Sequence, residues 1–130
     1  MNRPLLIALL LLTVAGCGVK PPIEGRANPY PPSQIHFASA VLKDSTTVDP
    51  PTATRDDVGQ ILFVTIPIRS TVNRPLMVDY RVTFFDRNNQ VINQTGWFTR
   101  KLESNIPDYI TVNSSTSRAA DFQVDFRDAQ

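Results

Sequence analysis

The stretch LMVDYRVTFFD, residues 76–86, decides the fold. Leu76, Val78, Tyr80, Val82 and Phe84 fall on one side of an extended chain, and Asp79, Arg81 and Thr83 on the other. That is the period-two alternation of a strand with one face on a core and one toward water. Working outward, ILFVTIPIR at 61–69 places Leu62, Val64, Ile66 and Ile68 on one side. ADFQVDFR at 120–127 repeats the pattern, with Phe122, Val124 and Phe126 in and Asp121, Gln123, Asp125 and Arg127 out. Shorter strand candidates lie at 34–43, 91–94, 97–102 and 109–112. Pro67 inside its strand suggests an edge or a bulge, because proline cannot donate to a ladder.

Turn chemistry separates these runs. Residues 86–90, DRNNQ, join two of them, and asparagine tolerates the left-handed backbone of a tight turn. Residues 72–75, 104–108 and 113–118 supply further turns. Residues 44–59, DSTTVDPPTATRDDVG, read as a long, mobile polar loop. About seven short strands at this spacing predict an all-β domain, an immunoglobulin-like antiparallel β-sandwich. A small closed β-barrel is the alternative. The chain of 130 residues fits one such domain, over 35–130. Its 42% hydrophobic and 19% charged content suits a packed core. A net charge of +1 favours no nucleic-acid partner, and one cysteine permits no internal disulfide.

That single cysteine, Cys17, has a particular setting. Met1-Asn2-Arg3 is short and basic, and residues 4–14, PLLIALLLLTV, are apolar except Thr13. A membrane-spanning helix needs about 20 residues, whereas a signal-peptide core needs roughly 7 to 15. Small residues Ala15 and Gly16 follow, directly before Cys17. VAGC at 14–17 resembles the lipobox of bacterial lipoproteins. The resemblance implies residues 1–16 as a signal peptide, cleavage between Gly16 and Cys17, and a diacylglyceryl group on the Cys17 sulfur. A thiol is the nucleophile near neutral pH that can take such a group. Two or three acyl chains then hold the domain at a membrane surface. Removing residues 1–16 takes Arg3 away and leaves basic and acidic side chains equal in number. Gly18, where an aspartate would retain the protein in enteric-type sorting, resembles a lipoprotein carried to the outer membrane, facing the periplasm.

Residues 17–34 read as the lipidated cysteine and a tether. Pro21, Pro22, Pro29, Pro31 and Pro32 deny this stretch helix and sheet. Extended at 3.1 Å per residue, it spans up to roughly 50 Å. The PYPP run at 29–32 is loosely like a proline-recognition ligand, and the spacer reading is preferred.

A second resemblance rests on VDYRVTFFDRNNQVI, GWF and DFQVDFR, with matches at Tyr80, Phe84, Phe85, Asp86, Trp97, Phe122, Val124 and Arg127. Together these resemble the YcfL-type small periplasmic lipoproteins. The resemblance covers about half the chain plus the lipobox, and implies fold and address but no activity.

No residue set reads as catalytic. His36, the one histidine, reads as a strand-edge side chain, not a general base. With one histidine, and with Cys17 taken by lipid, no metal site or cofactor is expected. Asp49, Asp56 and Asp57 lack calcium-loop spacing and read as solvated charges. Asp121 and Asp125 share a strand face about 13 Å apart, too far to act as a carboxylate pair, and are expected to face arginines on a neighbouring strand. Trp97 reads as a buried sandwich aromatic, with sugar stacking the alternative. Phe63, Met77 and Phe85 sit on the polar sides of their strands. If those strands pair, the three form a patch for a protein partner. The expectation is a membrane-anchored, non-catalytic binding or structural module of the cell envelope, or else an accessory subunit regulating an envelope enzyme or assembly machine.

Overall fold

The computed structural model describes residues 34–130. Residues 1–33, on which the expected signal peptide, the Gly16–Cys17 cleavage and the proline-rich tether fall, lie outside the described residues. The chain order is β1 (Ile35–Phe37), α1 (Ala40–Asp44), β2 (Thr46–Val48), β3 (Thr52–Arg55), β4 (Leu62–Ser70), β5 (Leu76–Phe85), β6 (Val91–Gln94), β7 (Phe98–Leu102), β8 (Asp108–Asn113) and β9 (Asp121–Asp128).

Two sheets form a sandwich. In the first, β1 lies beside β9, β9 beside β5, and β6 and β7 run end to end along the far side of β5. In the second, β4 is central, with β8 on one side and β2 and β3 end to end on the other. Two strand paths are thus each broken into halves, so nine strands trace seven paths. Between the sheets the described residues make one isolated bridge, Ser70 with Ser104, so no barrel closes.

The alternation read from the sequence is what fills the interior. Leu62, Val64, Ile66 and Ile68 of β4 and Ile110 of β8 are buried against Val78, Val82, Phe84, Phe122, Val124 and Phe126 of the other sheet. Leu42 of α1 is also buried in this core. That helix starts where the Ser39 hydroxyl accepts the Leu42 amide at 3.1 Å, a side-chain N-cap.

Four expectations need correction. The strands at 61–69 and 76–86 do not pair: β4 and β5 belong to different sheets. The sandwich is not wholly antiparallel, because β1 runs parallel to β9, pairing Ile35 with Val124 and Phe37 with Phe126. The segment 44–59 is not a bare loop, since β2 and β3 lie inside it. Its pattern was unreadable because it forms a sheet edge: β3 is exposed along its whole length. Nor is Pro67 on an edge, as β4 is central. Its carbonyl accepts the Asp49 amide at 3.0 Å, so its missing N–H falls where Asp49-Pro50-Pro51 interrupts β2 and β3. A break in the neighbour therefore accommodates the proline.

The sandwich has two unlike poles. Gln34, at the start of β1, shares a pole with the β3–β4, β5–β6 and β8–β9 connections. The opposite pole carries α1, the β4–β5 and β7–β8 connections and the end of β9.

Candidate functional site

The outer face of the first sheet carries a built polar surface. On β5 the order is Asp79 then Arg81, and on β9 it is Asp125 then Arg127. Because the strands are antiparallel, the register sets Asp79 against Arg127 and Arg81 against Asp125. Arg81 reaches Asp125 at 3.1 Å and Arg127 reaches Asp79 at 3.1 Å. Unlike charges directly opposite support the pairing, and like charges would oppose it.

The β6–β7 junction adds the aromatic. Thr95, Gly96 and Trp97 interrupt the edge path opposite Arg81 and Val82. The Thr95 amide donates to the Val82 carbonyl at 2.9 Å, and its hydroxyl accepts the Val82 amide at 3.0 Å. This bulge brings Trp97 across the face, where the Arg127 and Arg81 guanidinium carbons lie 4.0 and 4.5 Å from its ring. Trp97 is therefore half-buried on the outside and is not a core aromatic, contrary to expectation. The core between the sheets is filled by Phe84 and Phe126 instead.

Asp79 is only 4% exposed, yet it is fully partnered. The Thr99 hydroxyl donates to one oxygen at 2.6 Å and Arg127 to the other. The Thr99 hydrogen bond, and then Arg127, hold its carboxyl below the usual carboxylate range. His36 sits at the margin, its Nδ1 3.6 Å from Asp125, with a largely exposed ring. A hollow of about 230 Å³ lies between His36, Arg81, Trp97, Asp125 and Arg127. Asp125 meets an arginine as expected, whereas Asp121 accepts a hydrogen bond from the Gln34 side-chain amide (Nε2) at 2.7 Å instead.

A larger cleft, about 470 Å³, opens at the pole where Gln34 enters. Arg55, Arg87 and Arg118 line it together with Asp86. Sequence reasoning did not find it, since its residues come from three separate turns. The charge checkerboard had a readable signal: an Asp-x-Arg order on two strands becomes Asp against Arg whenever they pair antiparallel.

Phe63, Met77 and Phe85 do not come together. Phe63 projects from the outer face of the β4 sheet, and Met77 and Phe85 from the outer face of the β5 sheet. Phe63 is 37% and Met77 48% exposed, and Phe85 is half-buried. Around Phe63 the surface is threonine-rich, with Thr52, Thr65 and Thr111 in one row across three strands. Among the described residues there is no cluster of three or more metal-ligating side chains, and no helix is long and apolar enough to cross a membrane.

The fold has solved relatives. Cj0090 of Campylobacter jejuni superposes with a TM-score of 0.64 at 17% identity, over 75% of this chain and 99% of that one. A DUF1425 family member from Shewanella sp. pv-4 superposes with a TM-score of 0.59 at 20% identity, over 65% of this chain and 79% of that one. Both are small bacterial β-fold proteins. At these identities the likeness is one of fold. No family model and no curated protein matches the sequence.

Proposed function

We propose that this chain is a lipid-anchored, non-catalytic module of the bacterial cell envelope. One observation carries the reading: the only cysteine stands directly behind Ala15-Gly16 at the end of a short apolar run. A thioether-linked lipid on Cys17 anchors the mature chain, and the proline-rich residues 18–33 hold the sandwich off the bilayer. Gly18 directs it to the outer membrane, facing the periplasm. The shared fold of Cj0090 and the DUF1425 family member supports the resemblance to YcfL-type lipoproteins. A protein partner meets either the outer face carrying Phe63 or the opposite face carrying Met77 and Phe85.

Mass spectrometry of the purified mature chain should find Cys17 at its N-terminus with a diacylglyceryl group. Cys17→Ser should move the protein out of the membrane fraction. A free thiol, or a Cys17→Ser protein that stays with the membranes, defeats the reading.

A further inference from the structure

The cleft at the tether pole holds more donors than the domain uses. Arg55 is spent on structure: it donates to the carbonyls of Gln60, Ser117 and Ala119, tying the β3–β4 turn to the β8–β9 loop. Its charge is thereby fixed in the cleft wall. Arg118 is 75% exposed and reaches Asp86 with one nitrogen at 3.4 Å, which leaves most of its fork unused. Asp86 is itself committed, since one of its oxygens accepts the amides of Asn88 at 2.8 Å and Gln90 at 3.0 Å. Arg87, Asn88 and Ser117 also line the cleft, and the side chains of all three have no hydrogen-bond partner among the described residues. Nearby carboxylates do not compensate. Asp56 accepts the Ile61 backbone amide at 2.7 Å and Asp121 accepts the Gln34 side-chain amide, and neither they nor Asp57 line the cleft.

We propose that this cleft binds a phosphate ester. The forks of Arg87 and Arg118 take the phosphate oxygens, with Ser117 and Asn88 completing the donor set around a tetrahedral anion. A planar guanidinium matches such oxygens two at a time. A volume of about 470 Å³ exceeds what a bare phosphate fills, which leaves room for the esterified group. The site stands on the cleft alone and does not depend on lipidation of Cys17. Lipid headgroups and soluble esters both present this chemistry.

The test is calorimetric titration of the full chain in neutral detergent with glycerol 3-phosphate, inorganic phosphate and glycerol. Saturable binding of glycerol 3-phosphate is expected, weakened about tenfold by Arg87→Gln and by Arg118→Gln, the scale of a lost charge-assisted hydrogen bond. Among the described residues Arg87 makes no hydrogen bond or ion pair, so its substitution is expected to leave the melting temperature unchanged. Arg69→Gln, on the exposed outer side of β4, serves as the control and should bind as wild type does. No saturable binding, or an equal loss in Arg69→Gln, overturns the site. Equal affinity for inorganic phosphate overturns the ester. The source is read by comparing the titration in phosphate-free neutral detergent with one in nanodiscs of phosphatidylglycerol. Weaker apparent affinity with phosphatidylglycerol assigns the cleft to a headgroup, and an unchanged affinity assigns it to a soluble ester.

Discussion

Asp79 shows how one side chain carries both stability and pH response. It is a nearly inaccessible carboxylate on the outer side of its sheet, stabilised by the Thr99 hydroxyl and by Arg127, whose guanidinium lies against the Trp97 ring. Its folded-state pKa lies below the ordinary aspartate value. In the acid range the unfolded chain therefore binds the proton more readily than the folded one. The stabilisation is complete above that value and fades as pH falls through the folded pKa. Asp79→Asn should lower the melting temperature at pH 7 and flatten its fall between about pH 5 and pH 2. Melting curves across that range check it, and an unchanged acid limb would show that the carboxylate contributes nothing. The Asp79–Arg127 and Arg81–Asp125 pairs were open to sequence reasoning once an antiparallel register was assumed. Their cover was not, because Trp97 reaches them only through a bulge.

Among the elements, β4 divides its residues most sharply. Ile66 is fully buried, and Phe63, three positions earlier on the same strand, lies outside. Ile66→Ala should cost about 2–5 kcal/mol, from lost transfer energy and a cavity. Phe63→Glu should shift stability by less than about 1 kcal/mol. Urea midpoints separate the two, and a collapse of Phe63→Glu would place that ring in the core. The same contrast explains what was legible. Strands β4, β5 and β9 have one dry and one wet face, so their alternation names them. β2 is only three residues long and β3 is exposed throughout, so neither is long or one-sided enough for an alternation to show. Pairing was harder still, because a short connection between strong strands suggests a hairpin. The turn at 71–75 instead carries the chain from one sheet to the other.

For the whole molecule, sandwich architecture was legible because it follows from strand number and alternation. The parallel docking of β1 and the polar cleft were not. Both depend on which turns meet at one pole, and local pattern does not encode that. The β1–β9 pairing has a mechanical consequence. Gln34 enters at one pole and β9 ends at the other, so tension between the chain's entry and its end draws the two strands past each other. The bonds flanking the pair, Val124 to Gln34 at 2.8 Å and Ala38 to Phe126 at 2.8 Å, then bear load together with the stacked Phe37 and Phe126 rings. Tension between Gln34 and Asn88, at the same pole, would peel the strand away bond by bond. Single-molecule pulling should therefore record a higher rupture force along the first axis than along the second. Such a joint resists a steady pull along its strands and yields to a sideways one.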